Sequence, residues 1–96
     1  VGIKEVNLKK ELVIFGVYPN PVSEYAIVQF YNEQNSTVTV KVVDIAGKII
    51  NTETLGNVSA GLHLHGIDLK NIVAGVYFLV IETGKISVSQ KLVKEN

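Results

Sequence analysis

Two histidines, His63 and His65, stand one residue apart in the stretch Gly61 to Ile67. On an extended strand that spacing puts both imidazoles on one face, which suits a zinc site if further ligands arrive. The chain has no cysteine and no other histidine, so the remaining ligands would have to be carboxylates. That shortage favours two surface histidines, and replacing both by alanine is expected to leave stability unchanged. Asp44 and Asp68 could be imagined as a general acid and base. Each falls in a turn that wants a capping carboxylate, and capping is the simpler reading. The sequence holds no nucleophile elbow, no phosphate-cradling glycine loop and no zinc-protease signature. No enzyme activity and no cofactor are therefore expected. Asn35-Ser36-Thr37 and Asn57-Val58-Ser59 match glycosylation acceptors, but triplets this short arise readily by chance.

Composition narrows the class further. With 96 residues, the chain is long enough for one domain with a modest core. All nine basic residues are lysines, and nine acids balance them to a formal net charge of zero. A nucleic-acid binder would show a basic stripe and arginines for base contacts, so no nucleic-acid partner is expected. No apolar run approaches the ~20 residues of a membrane helix, and membrane insertion is not expected either. The first residue is Val1, no signal-peptide pattern follows it, and the chain reads as a piece of a larger protein. Residues 1–11, charged and weakly patterned, read as a linker entering the domain, leaving 12–96 as the folded domain.

The stretch Asp68 to Ile81 organises that domain. Val76, Phe78 and Val80 alternate with Tyr77, Leu79 and Ile81, so both faces of this strand are apolar, which predicts a central strand covered on both sides. Upstream, Leu12 to Val17 reads as a first strand, and Tyr25 to Tyr31 as a second with Ala26, Val28 and Phe30 on one face. Thr37 to Ile45 is a third, with Val38, Val40 and Val42 inward. Lys48 to Thr54 is polar and suits an edge, followed by a loop from Leu55 to Ala60. Gly61 to Ile67 is expected to bury Leu62 and Leu64 and to turn His63 and His65 the other way. Lys85 to Val93, entered through Thr83-Gly84, is the last strand, with Lys91 and Lys94 outward or beyond it. Seven strands at this spacing predict an all-β, immunoglobulin-like antiparallel β-sandwich.

Several turns carry specific residues. Pro19 and Pro21 flank Asn20; neither proline can donate to a ladder, so Tyr18-Pro19-Asn20-Pro21 should be a corner. In Asp44-Ile45-Ala46-Gly47-Lys48, Asp44 caps local N–H groups and Gly47 supplies a left-handed residue. Tyr77 is either a plain core aromatic or the tyrosine of a tyrosine corner, its hydroxyl reaching back toward Asp68 or Leu69.

These pieces, in order, resemble a known family. Pro19-Asn20-Pro21 early, Asp44 with Gly47 and Lys48, Asp68-Leu69 with Gly75 and Tyr77, and the closing Lys91-Leu92-Val93-Lys94 are similar to the motifs of type A C-terminal sorting domains of the type IX secretion system of Bacteroidetes. The resemblance runs from about Leu12 to the end of the chain. It departs from the pattern at Lys70-Asn71 and in the extra Glu95-Asn96. It implies a folded export signal that sends an upstream cargo protein through the periplasm to the cell surface or medium. The implied partners are an outer-membrane translocon and a sortase-like peptidase that removes the domain. Recognition would fall on the last strand and the tail, since Lys91 to Asn96 ends in a charged, conformationally free terminus and a strand at a sheet edge offers unpaired backbone groups. The alternative is a non-catalytic accessory module for carbohydrate binding or adhesion, for which Tyr25 and Tyr31 are the outward-facing aromatics.

Overall fold

A computed structural model describes residues 12–96 of the chain; the expected linker, residues 1–11, lies outside them. Seven antiparallel strands follow in order: β1 (Leu12–Tyr18), β2 (Tyr25–Asn32), β3 (Ser36–Asp44), β4 (Ile49–Val58), β5 (Gly61–Asp68), β6 (Gly75–Glu82) and β7 (Ser87–Lys94). They form two sheets, β1-β2-β5 and β4-β3-β6-β7, the sandwich that the alternation predicts. The inward residues of β2 (Ala26, Val28, Phe30), β3 (Val38, Val40, Val42) and β6 (Tyr77, Leu79, Ile81) meet in one core. Leu92 of β7, Val22 and Leu69 complete it, each almost fully buried.

The β6 strand is central in its sheet, between β3 and β7, but it is covered on one side only. Val76 and Phe78 are 40% and 37% exposed, because two layers leave every outer face without a third layer to bury it. The β4 strand is longer than its polarity predicts. It runs on to Val58 through two irregularities, between Val38/Thr39 and between Val42/Val43 on its partner strand. The first leaves Leu55 as the extra residue, and Gly56 takes it up at φ 76°. The bulge lets Leu55 pack on the core instead of forming a loop.

The phase of β5 is opposite to the one its leucines predict. Leu62 and Leu64 are 56% and 64% exposed, while Ile67 is buried. Antiparallel partners share a face, and β5 pairs Ile67 with Ala26, His65 with Val28 and His63 with Phe30. Since Val28 and Phe30 point into the core, the two histidines point inward with them and the leucines point out.

The β3–β4 turn is built as the sequence predicts. Asp44 Oδ1 accepts from the backbone N–H groups of Ala46 (2.9 Å) and Lys48 (2.9 Å), and Gly47 N–H donates to the Asp44 carbonyl (3.0 Å). Gly47 has φ 87°, and a Cβ there would meet no atom within 4 Å. The strain of a substitution is therefore purely backbone strain. Gly47→Val is expected to lower stability by about 1–2 kcal/mol, read as a lower urea midpoint at unchanged m-value.

Candidate functional site

The family-like residues, scattered from Pro19 to Lys94 in sequence, come together at one pole of the sandwich. The corner after β1 brings Asn20 alongside β7. Asn20 Oδ1 accepts from Val93 N–H at 2.9 Å, and Asn20 Nδ2 donates to the Lys91 carbonyl at 3.1 Å, across 73 and 71 residues. One side-chain amide thus imitates one residue of a neighbouring strand. Directly after it, Val22 N–H donates to the Val93 carbonyl (2.8 Å) and Glu95 N–H to the Val22 carbonyl (2.8 Å), a parallel bridge between Val22 and Lys94. Pro19 and Pro21 sit on either side of Asn20, both following cis peptide bonds.

The other residues join the same pole through the sheet register. Gly75 pairs with Lys94, Val76 with Val93 and Tyr77 with Leu92 across β6–β7, and Asp44 pairs with Tyr77 across β3–β6. The Tyr77 hydroxyl donates to the Val73 carbonyl at 2.5 Å, so a tyrosine corner is present. Its acceptor is Val73, four residues back, rather than Asp68 or Leu69, because the turn from Leu69 to Gly75 brings Val73 nearest. Asp68 Oδ1 caps Lys70 N–H (3.0 Å), and the Leu69 N–H donates to the Glu24 carbonyl (2.7 Å) while its side chain plugs the core. The two aspartates of the imagined acid–base pair are thus both turn caps.

The last strand differs from its expectation in two ways. Its tail is not free: backbone bonds hold it as far as Glu95. Lys94 is only 6% exposed, on the same side of β7 as Leu92, with its Nζ reaching the Glu95 carbonyl at 3.0 Å. Lys91 is exposed beside Phe78 on the outer face. The free edge of β7 is also shorter than the sequence implies. Backbone groups aimed away from β6 alternate along the strand, and the Lys91 carbonyl, both groups of Val93 and the Glu95 N–H are engaged by the corner. Among the described residues the open stretch is that of Ser87 and Ser89, for which no backbone bond outside the β6 ladder occurs.

The histidines lie on the inner side of β5, at the seam with β4. The His63 ring stacks on Phe30 with centroids 5.5 Å apart, and its Nε2 is 2.8 Å from the Ser59 carbonyl. His65 Nε2 is 3.0 Å from Glu53 Oε1. The pair thus packs on Phe30 and meets polar partners at the seam, and among the described residues no group of three metal-ligating side chains occurs. Alanine at both positions is now expected to cost about 1–2 kcal/mol, through the lost stacking and lost hydrogen bonds. A thermal melt with and without zinc checks this; a zinc-dependent rise in wild-type Tm alone would contradict it. Tyr25 is 53% exposed, as an outward-facing aromatic, with Lys70 at its hydroxyl end. Lys70 Nζ lies 5.5 Å from its ring centroid and donates to its hydroxyl at 3.0 Å. That hydrogen bond, with the Tyr25 oxygen and Asp68 near by, holds the Lys70 ammonium above its ordinary pKa.

A model of the secretion system C-terminal sorting domain matches residues 16–95, from the bulge of β1 through the corner to the end of β7. The chain belongs to that family. Solved structures share its fold, among them the following two. The crystal structure of dimeric latent PorU from Porphyromonas gingivalis superposes with a TM-score of 0.67 at 19% identity, over 93% of this chain and 10% of that one. The Parabacteroides merdae β-glucuronidase superposes with a TM-score of 0.56 at 19% identity, over 90% of this chain and 14% of that one. In both, the matching part is a small share of a much longer chain. No curated protein matches the sorting domain. No helix among the described residues is long and apolar enough to cross a membrane.

Proposed function

We propose that this domain is a non-catalytic C-terminal sorting signal that directs an upstream cargo protein through the type IX secretion system to the cell surface or medium. Residues 1–11 are the link to that cargo, the cargo crosses the periplasm with its signal, and a sortase-like peptidase removes the domain afterwards. The observation that carries this reading is the convergence of the family's residues on one pole, with Asn20 tied to Val93 and Lys91. Leu12, where the upstream chain joins, pairs with Asn32 at the other end of the sandwich. A translocon can thus grip the motif pole while the cargo hangs clear of it. The exposed Lys91 is the group of β7 left for a partner toward that pole, while the open edge at Ser87 and Ser89 runs on to the Leu12 end of the sandwich.

Fusing Val1–Asn96 behind a periplasmic reporter in a type IX-competent host tests this. The reporter is expected at the surface or in the medium, and in the periplasm when the translocon is inactive. Lys91→Ala, combined with proline at Ser89, alters the free edge without touching the core. Loss of export with an unchanged circular dichroism spectrum places recognition there. A folded, intact fusion that stays periplasmic in the competent host would favour the accessory-module reading instead.

A further inference from the structure

The outer face of the β1-β2-β5 sheet carries no charge across three successive rows. The register aligns Val13 with Tyr31 and Leu62, then Gly16 with Gln29 and Leu64, then Tyr18 with Ile27 and Gly66. Leu62 and Leu64 are more than half exposed, and Tyr18 and Ile27 nearly so. Phe15, set opposite Gln29 by the β1 bulge, adds a further ring at the margin, 61% exposed. At roughly 100 Å² for each such side chain, the apolar surface comes to on the order of 500 Å², as much as the largest patch of a typical monomer. The sorting reading makes no use of this face.

We propose that this face is the interface of a two-fold dimer, its occupant being a second copy of the same chain. Absence of charge is the deciding feature. A charged partner would strand its own charges against an apolar sheet, whereas two identical uncharged faces leave none unmatched. The relief is self-complementary as well. Leu62 and Leu64 form a ridge, and Gly66 beside it is a hollow where a Cβ would meet nothing within 4 Å. A two-fold axis sets the ridge of one copy over the hollow of the other. Toward the corner, charged groups return at the next row, where Asp68 pairs with Tyr25 and Lys70 bonds the Tyr25 hydroxyl, a polar rim on that side of the patch. The apolar area falls short of the ~800 Å² per partner of a standard interface, so the dimer is weak and depends on concentration.

Sedimentation velocity on the full 96-residue chain between 1 µM and 1 mM tests the proposal. A monomer–dimer equilibrium with a Kd of roughly 1–100 µM is expected. The double variant Leu62→Lys with Leu64→Lys is expected to be monomeric throughout with an unchanged circular dichroism spectrum, since both side chains point to solvent. Phe78→Lys, on the outer face of the other sheet, is expected to dimerise like wild type. A wild-type chain still monomeric at 1 mM overturns the proposal, as does a double variant that dimerises normally or a Phe78→Lys chain that does not.

Discussion

Leu92→Ala is expected to destabilise the domain by about 2–5 kcal/mol, the cost of truncating a large side chain in a closed core. Leu92 is fully buried, opposite Tyr77 across β6–β7 and one residue from the backbone groups that Asn20 and Val22 engage. The core cannot collapse into the vacancy without drawing β7 away from the corner. In a domain of this size each kcal/mol corresponds to roughly 4–8 °C in Tm, so thermal melting resolves the effect easily. Lys91→Ala, next in sequence and exposed, is expected to lie within ±0.5 kcal/mol of wild type. The contrast bears on function. Any truncation that removes Lys91 to Asn96 removes Leu92 too, and loss of export on such a deletion reports unfolding as much as lost recognition. Lys94 is no better a probe, since it is almost fully buried. A Leu92→Ala chain with a wild-type Tm would show that β7 is not packed as described.

Asn20→Ala is expected to cost about 1–3 kcal/mol, two hydrogen bonds at ~0.5–1.5 kcal/mol each, and to act locally. With the amide gone, the Val93 N–H loses its partner, the Lys91 carbonyl is left with Gln90 Nε2 at 3.4 Å, and the Val22 bridge beyond them loses its support. Hydrogen exchange at Val93, Val22 and Glu95 is expected to quicken by about tenfold or more, one decade per 1.4 kcal/mol of opening. Leu79, in the centre of β6, should keep its protection. Asn20→Asp separates the two bonds. Its carboxylate still accepts from Val93 N–H but meets the Lys91 carbonyl as a second acceptor, so it is expected to be no better than alanine. Equal exchange rates in wild type and Asn20→Ala would show that the corner does not hold the last strand.

Much of this molecule is legible without coordinates. The period-two patterns of Ala26 to Phe30 and Val38 to Val42 name both the strands and their inner faces, because one buried face and one wet face demand alternation. Asp44 with Gly47 names a turn, because only a short acceptor side chain and a residue free of a Cβ suit those backbone positions. The order of the family's motifs points to the sorting domain before any residue is placed in space.

What the sequence could not decide are relations between strands. In Leu62-His63-Leu64-His65 either phase is locally admissible, and hydropathy prefers the wrong one. The phase follows from pairing with β2, where Val28 and Phe30 already face the core, and from Ile67, which must join them. The imidazoles tolerate that position because the inner face of β5 opens on a seam where Ser59 and Glu53 supply polar partners. Likewise nothing local in Lys91-Leu92-Val93-Lys94 shows that its edge is occupied, or that Lys94 is covered. That depends on an amide more than seventy residues earlier. Strand type and turn chemistry are set by neighbours in the chain, so the sequence alone determined them. Face, edge and pole are set by which strands lie side by side, and only the closed sandwich decided those.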